Sequence, residues 1–276
     1  MAFISAKTIV RVQKDRISEE PDLLAVEEPL QIRLGFGPQD ARQQRTLVVT
    51  MRTPGNDEEL ALGYLLAEGI IRSGADVLSC RYCVQDATKQ TNDLRVELHP
   101  KIELDWSRHE RSAVGSAACG LCGKTSIEAV QTLATGPVSQ GFRISSQNLF
   151  ALPDRLREQQ RAFTHTGGLH AAALFNADGE ILLLREDIGR HNALDKLIGA
   201  ALWRNWTPAS AYGVLVSGRV GYELVQKCWM AGVPLLAALG APSSLAVEMA
   251  EEAGMSLIGF LKETRYNRYT NHKIDF

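Results

Sequence analysis

The chain has 276 residues, of which 45% are hydrophobic and 22% are charged, a composition typical of folded globular proteins and not of disordered ones. Thirty Lys and Arg residues against 32 Asp and Glu residues leave a net charge of −2, which provides no overall basic field for nucleic acid or an anionic membrane. No apolar run reaches the roughly 20 residues of a transmembrane helix, and the first residues lack the apolar core of a secretory signal, so we expect a cytoplasmic protein.

The N-terminal third predicts strands and one helix. Apolar residues alternate in the predicted strands, which are residues 9–12, 30–34, 46–51, a stretch around Val77, and 94–98. Asn56 lies three residues before Glu59, as in a capping box, and this spacing predicts a helix over about 57–71. Residues 105–122 are polar and then rich in Gly, Ala and Ser, which predicts a long functional loop.

The second half predicts strands and helices in turn. The predicted helices are 125–133, 147–163, 191–203, 222–231 and 244–253, and the predicted strands are 171–175, 180–184, 212–216, 234–238 and 257–260. This alternation indicates a layered α/β domain, with a hairpin at Asp178-Gly179. A break at Thr135-Gly136-Pro137 predicts an α+β domain over 1–135 and an α/β domain over 136–276.

The sharpest motif is a pair of cysteines in the stretch Cys119-Gly120-Leu121-Cys122-Gly123-Lys124. Five cysteines are too few for a disulfide scaffold in a chain of this size, and such pairs in cytosolic proteins serve chemistry or metal binding. A thiol reacts as its thiolate, which a nearby lysine and the amide groups of a helix start both favour. The motif therefore predicts a nucleophilic cysteine with a close neighbour that resolves, protects or receives a sulfur adduct.

Other interpretations of this motif stay open. The two cysteines would also suit a buried turn, or would form a Cys₄ zinc site in a zinc-stabilised binding module together with Cys80 and Cys83, although the two pairs are farther apart than in the common zinc ribbon. A thiol–disulfide oxidoreductase would also use such a pair at a helix start, although residues 108–118 do not form the apolar strand that precedes it there. Cys228 lies in a predicted core helix.

Loops of the second half are dense in polar and glycine residues. These loops are residues 164–170, 186–192, 217–223 and 240–244. Glycine and hydroxyl groups at a helix start suit an anion, and Arg219 adds a guanidinium group, so together the loops predict a ligand crevice. Neither a Walker P-loop nor a Gly-x-Gly-x-x-Gly fingerprint is present, which disfavours an ordinary NTPase or dinucleotide dehydrogenase.

Three polar residues of the loop at 186–192 and the following helix share one helical face. Asp187, His191 and Asp195 are spaced four residues apart. We favour hydrogen bonds that hold the start of the helix, while a proton relay and a metal site remain open.

Several motifs in chain order carry a resemblance to a known family. They are Thr53-Pro54-Gly55, residues 59–64, residues 68–71, residues 119–123, residues 167–172, residues 186–196, Ser217-Gly218-Arg219, Tyr222-Glu223, residues 241–252 and Gly259-Phe260. In this combination the chain resembles the FdhD/NarQ family of sulfur carrier proteins required for formate dehydrogenase. The motifs run over nearly the whole chain.

The resemblance implies a sulfurtransferase-type activity in the cytoplasm. Such a protein accepts sulfur from a PLP-dependent cysteine desulfurase as a cysteine persulfide. It passes this sulfur to the molybdenum or tungsten bis-guanine-dinucleotide cofactor before that cofactor enters formate dehydrogenase. The resemblance also implies a homodimer, a cytidine deaminase-like fold for the C-terminal domain, and no metal of the protein's own.

The resemblance further implies which residues form the site. The persulfide maps to Cys119, with Cys122 as its neighbour, and a cofactor-binding segment maps to residues 260–265. With the polar loops, the predicted cofactor-binding residues are Phe260, Leu261, Lys262, Glu263, Thr264, Arg265, Arg219, Gly168, His170 and Ser217.

Overall fold

In the computed structural model, which describes residues 3–83, 92–104, 106 and 136–270, the strands form three sheets with helices packed between and beside them. This architecture confirms the mixed α/β class predicted from the sequence. Among the helices of the described ranges, none combines the length and the apolar character that a membrane span needs.

The chain begins with a two-stranded antiparallel ribbon. Strands β1 (Ile4–Gln13) and β2 (Arg16–Ala25) pair along their whole length. Their register places Val10, Val12 and Ile17 on one face, where these side chains are 58%, 70% and 74% exposed. The sequence predicted only the C-terminal part of β1, residues 9–12, and it missed β2. The acidic residues and the proline of β2 hide its strand character, which the pairing with β1 reveals.

A four-stranded sheet follows, with the strand order β4-β3-β6-β5. Its strands are β3 (Glu28–Phe36), β4 (Gln43–Arg52), β5 (Val77–Tyr82) and β6 (Asp93–Leu98). The two central strands are parallel and each edge strand is antiparallel to its neighbour. Leu30, Ile32 and Leu34 are fully buried on one face, as the predicted alternation requires.

Helix α1 (Asp57–Ala67) packs beside this sheet and differs from the prediction at both ends. Asn56 has a left-handed backbone with a φ of 58° and makes no side-chain capping bond, so the predicted capping box is wrong. The helix stops four residues earlier than predicted because Gly69, with a φ of 68°, turns the chain and lets the Ile70 amide donate to the Leu65 carbonyl. A short 3₁₀ helix (Gly74–Asp76) leads into β5.

The C-terminal part is a six-stranded sheet with helices on both faces. Its strands, in the order β12-β11-β10-β9-β7-β8, are β7 (His170–Phe175), β8 (Ile181–Asp187), β9 (Gly213–Val216), β10 (Leu235–Ala238), β11 (Ser256–Lys262) and β12 (Arg265–Arg268). Strands β9, β10 and β11 are parallel, whereas β7, β8 and β12 run antiparallel to their neighbours. The hairpin predicted at Asp178-Gly179 connects β7 to β8 and is confirmed.

The helices of this part are α2 (Ser146–Gln159), α3 (Arg161–Thr166), α4 (Arg190–Trp203), α5 (Tyr222–Met230) and α6 (Ser244–Glu252). Leu149, Leu152 and Leu156 of α2 join the hydrophobic cluster on one face of the sheet, while α4, α5 and α6 join the cluster on the other. The layered arrangement predicted for residues 136–276 is therefore present, and the likeness to cytidine deaminase stays a prediction.

The single helix predicted over 147–163 is in fact the two helices α2 and α3. The backbone of Gln160 leaves the helical conformation, with a ψ of 71°. The amides of Ala162 and Phe163 then donate to the carboxylate of Glu186, at 3.1 and 2.8 Å. A carboxylate from a distant strand thus caps a second helix start, which a local pattern cannot show.

The N-terminal and C-terminal parts meet where α1 crosses α4. Gly63 of α1 and Gly199 of α4 stand at the crossing, since a Cβ atom on either would collide with the backbone of the other helix. The larger hydrophobic cluster contains residues from both parts of the chain. The predicted boundary between 135 and 136 stays a prediction.

Candidate functional site

A cavity of about 400 Å³ opens at one edge of the six-stranded sheet. Its walls are Pro153, Arg157, Gln160, Phe163, Gly167, Gly168, Leu169, His170, Ser217, Leu239 and Glu263. This volume falls in the range of roughly 300–1,000 Å³ of small-molecule sites. Eight of these eleven residues come from the segment 153–170, and the fold brings Ser217, Leu239 and Glu263 to it from three later connections.

The topology of the sheet places the cavity. Ser217 directly follows β9 and Leu239 directly follows β10, so both lie at the carboxyl ends of parallel strands, where open α/β sheets bind their ligands. Gly167 ends α3 with a φ of 63° and turns the chain toward β7. Glu263 enters from the turn between β11 and β12.

His170 and Ser217 form a polar wall of the cavity. The amide of Ala171 donates to Ser217 Oγ at 2.9 Å, which leaves the hydroxyl proton available to a ligand. Burial, followed by the electrostatic effects of nearby Arg190 and His191, lowers the pKa of His170, so its imidazole is neutral at pH 7. A Cβ atom on Gly218 would lie 3.2 Å from His170 Nδ1, so the absence of a side chain at this glycine leaves room for the imidazole ring.

The fold brings together four of the predicted cofactor-binding residues. Gly168, His170, Ser217 and Glu263 all line the cavity. Gly168 comes from the loop before β7, His170 is the first residue of β7, Ser217 directly follows β9, and Glu263 comes from the last hairpin. Their roles stay predictions, and their convergence makes the cavity the candidate site.

The other predicted residues lie elsewhere. Phe260, Lys262, Thr264, Arg265 and Arg219 are exposed and are not among the residues that form the cavity wall. Phe260 has a φ of 51° at a bulge of β11, and its amide donates to the Gly240 carbonyl.

Leu261 belongs to the core. Its side chain is 1% exposed and packs in the hydrophobic cluster beneath α2. A ligand at this position would therefore meet the backbone of Leu261 and not its side chain.

The cysteines divide into two groups. Cys119 and Cys122 lie outside the described residues. Cys80 lies on β5, where burial, with Glu58 and Asp57 nearby, raises its pKa to about 12. Burial likewise raises the pKa of Cys228. Neither of these two thiols is suited to act as a nucleophile, and in the described part of the chain no three potential metal ligands cluster.

Asp187 and Asp195 act as anchors in the structure, in keeping with the favoured interpretation of their spacing. The carboxylate of Asp187 accepts hydrogen bonds from the amides of Thr53 and Gly189 and pairs with Lys196 at 2.7 Å. Asp195 pairs with Lys227 at 2.6 Å. These contacts hold the start and middle of α4.

Seven residues of the cavity wall were not predicted as site residues: Pro153, Arg157, Gln160, Phe163, Gly167, Leu169 and Leu239. Among them, Arg157 comes from α2, Phe163 from α3, and Gln160 from the break between these helices. Within a helical sequence their spacing carries no signal for ligand binding. They face the cavity because the helical chain breaks at Gln160.

Comparison with known proteins decides the family. The FdhD/NarQ family model matches residues 25–274. The chain belongs to the FdhD/NarQ family. A relative from Streptomyces coelicolor, named sulfur carrier protein FdhD, is 45% identical over 95% of this chain and 92% of its own length. A relative of the same name from Saccharolobus solfataricus is 40% identical over 95% of both chains.

A solved structure shows the same fold. The crystal structure of a formate dehydrogenase accessory protein from Desulfotalea psychrophila superposes with a TM-score of 0.75 over 97% of both chains, at 21% sequence identity. The FdhD/NarQ resemblance expected from the motifs is thereby confirmed for both sequence and fold.

Proposed function

We propose that this FdhD/NarQ protein is a sulfur carrier that takes sulfur from a cysteine desulfurase as a persulfide on Cys119. It passes the sulfur to the molybdenum or tungsten bis-guanine-dinucleotide cofactor that formate dehydrogenase requires. The observation that carries the proposal is the family match over residues 25–274, which includes the Cys119-Gly120-Leu121-Cys122 motif. The names of the relatives support the sulfur-carrier role.

The loading step is a thiol exchange that needs no external oxidant. The Cys119 thiolate attacks the terminal sulfur of the persulfide on the desulfurase, the sulfur–sulfur bond on the desulfurase breaks, and a new one forms on Cys119. The desulfurase cysteine leaves as a thiolate and takes up a proton. Lys124, five residues along, supplies the positive charge that favours a Cys119 thiolate.

The cavity supports the choice of a guanine nucleotide as the recognised part of the cofactor. Guanine presents two adjacent N–H donors on its Watson–Crick edge, and a carboxylate accepts both. Adenine presents no such pair. Glu263 is the carboxylate of the cavity wall, and the aromatic ring of Phe163 adds an apolar surface. We therefore assign the base to Glu263.

Mapping the sulfur adduct tests the carrier role. The protein is incubated with a cysteine desulfurase and isotopically labelled cysteine, and the adduct is located by mass spectrometry. We expect labelled sulfur on Cys119 and loss of the adduct in Cys119→Ala. Cys83→Ala is the matched control, because it removes a cysteine outside the motif and should load normally. Normal loading of Cys119→Ala would overturn the assignment.

Nucleotide binding tests the cofactor site. We expect GDP, but not ADP, to raise the melting temperature, and Glu263→Gln to reduce the preference for guanine about tenfold or more, because one bidentate base contact is lost. Glu252→Gln, an exposed charge change on α6, should leave the preference intact. Equal stabilisation by both nucleotides, or by neither, would contradict a guanine site.

The partners follow from the same proposal. They are a cysteine desulfurase, formate dehydrogenase and a second copy of this chain. Insulin reduction that depends on both Cys119 and Cys122 would instead favour a thiol–disulfide oxidoreductase. Stoichiometric zinc, with loss of the fold on chelation, would favour a zinc-stabilised module.

A further inference from the structure

An arginine near the cavity has a shielded nitrogen with no hydrogen-bond partner among the described residues. Arg190 is the first residue of α4 and is partly buried. Its Nε atom is shielded from solvent and has no hydrogen-bond partner within the described part of the chain. A buried donor without a partner lowers the free energy of unfolding by roughly 1–3 kcal/mol, so its presence here calls for an explanation.

Two other arginines show how this fold treats guanidinium groups that serve stability. Arg52, which is fully buried, donates from two of its nitrogens to both carboxylate oxygens of Asp57, at 3.0 and 2.7 Å. Arg185 donates in the same forked way to Glu59, at 2.5 and 2.6 Å. Arg190 has no such fork with a carboxylate among the described residues.

Arg190 lies next to a residue of the cavity wall. A Cβ atom on Gly218 would lie 3.2 Å from His170 Nδ1 and 3.8 Å from Arg190 Cδ. Both side chains therefore approach the same glycine, one residue after Ser217. Arg190 is not itself a wall residue, but it neighbours His170, which is one.

Charges of both signs lie near this wall. Arg190 and His191 lower the pKa of His170 in addition to the effect of burial, whereas Asp187 raises it. Glu223 Oε2 lies 3.7 Å from His191 Nε2. Among the described residues Arg190 has no ion pair with a carboxylate, so its guanidinium group is available to an anion.

We propose that Arg190 binds the phosphate of the nucleotide in the cavity, at the wall formed by His170 and Ser217. The inference rests on the proposed guanine nucleotide function and adds a residue to it. Phosphate oxygens match the forked donors of a guanidinium group, the Ser217 hydroxyl donates its free proton, and the neutral imidazole of His170 supplies one further N–H. The negative charge of Glu263 repels phosphate, so Glu263 binds the guanine base instead.

Comparing ligands with and without phosphate tests this role. Isothermal titration calorimetry is run with GDP, guanosine and inorganic pyrophosphate on the wild-type chain, Arg190→Gln and Arg190→Lys. We expect Arg190→Gln to weaken GDP and pyrophosphate about 10- to 100-fold, as expected for a charge-assisted hydrogen bond, and to leave guanosine binding unchanged. Arg190→Lys should recover only part of the loss, because lysine lacks the fork.

Two further variants complete the design. Arg219→Gln tests the rival arginine predicted from sequence, and Arg72→Gln is a matched loss of one exposed positive charge in the N-terminal part. Loss of pyrophosphate binding in Arg219→Gln, but not in Arg190→Gln, would overturn the inference. Equal weakening of guanosine and GDP by Arg190→Gln would also overturn it, because the effect would then not concern phosphate.

The outcomes separate this inference from the proposed function. If neither GDP nor guanosine binds the wild-type chain while pyrophosphate binds through Arg190, the guanine site fails and the anion site stands. If GDP binds and Arg190→Gln binds it equally well, the guanine site stands and the role of Arg190 fails. Absence of pyrophosphate binding in the wild-type chain would refute the anion site.

Discussion

The middle of helix α4 and its first turn lie in different surroundings. In the middle, Lys196 is 1% exposed and donates to the Thr53 carbonyl at 2.7 Å, and Asp195 pairs with Lys227 at 2.6 Å. In the first turn, Arg190 has a shielded Nε without a hydrogen-bond partner among the described residues. The middle has the paired charges that a protein interior requires, whereas the first turn has the unmatched donor expected of a ligand site.

The largest effect is expected where α1 and α4 touch. Gly63→Ala places a methyl group into the backbone of Asp195, which must move the two helices apart. We expect a loss of more than about 5 kcal/mol in the free energy of unfolding, measured by urea denaturation. Gly74→Ala is the control, because its Cβ would lie 3.9 Å from the nearest atom and should cost little. Equal stability of the two variants would mean that the helices do not cross at these glycines.

Breaking one buried ion pair in the middle of α4 should have a similar but smaller effect. Lys227→Met leaves Asp195 as an unpaired carboxylate in a buried site, which should cost about 3–5 kcal/mol. Adding Asp195→Leu removes the second charge and should recover part of the lost unfolding free energy. A double-mutant cycle of the two single variants and the double variant measures this recovery. Strict additivity of the two losses would contradict direct pairing.

A pH dependence is expected near the first turn of α4. Although burial alone would raise it, contacts with His191, its own amide and Arg190 hold the pKa of Glu223 below 4.5. The stabilisation from this carboxylate is therefore present above pH 4.5 and is lost as the pH falls through the lowered pKa. Glu223→Gln should cost about 1–2 kcal/mol at pH 7 and progressively less in acid. If the loss of stability in Glu223→Gln did not change with pH, the charge of this carboxylate would not stabilise the fold.

The smallest effect on stability is expected at Arg190 itself. Because Arg190 Nε has no hydrogen-bond partner in the described part of the chain, Arg190→Gln should leave the unfolding free energy within about 0.5 kcal/mol of the wild-type value in phosphate-free buffer. Arg52→Gln, which unpairs the buried Asp57, should cost several times more by the same measurement. A large loss in Arg190→Gln would show that this arginine supports the fold, as Arg52 does.

The regular elements could be predicted from the sequence wherever local pattern and packing agree. The alternation of Leu30, Ile32 and Leu34 and the turn at Asp178-Gly179 each predict the observed structure. The failures occur where distant residues decide. Glu186 caps α3 from another strand, and β2 needs β1 to be recognisable as a strand. These contacts are far apart in sequence, and no local propensity encodes them.

The candidate site shows the same division. Glycine and hydroxyl loops suggested a crevice, and His170, Ser217 and Glu263 do share a cavity. For the phosphate, in contrast, the sequence favoured Arg219, whereas we propose Arg190. Both arginines follow a glycine at or shortly before a helix start, so their local signals are equivalent.

The family, the cysteine motif, and the order of most strands and helices follow from the amino-acid sequence alone, because these depend on residue identity and short-range periodicity. The tertiary structure decided which polar groups converge and which charges are paired. It placed Arg190 beside Gly218 and His170 and left Arg219 exposed. The burial of a side chain depends on which helices and strands pack around it. Whether a hydrogen-bond donor has a partner depends on all the residues that the fold places near it.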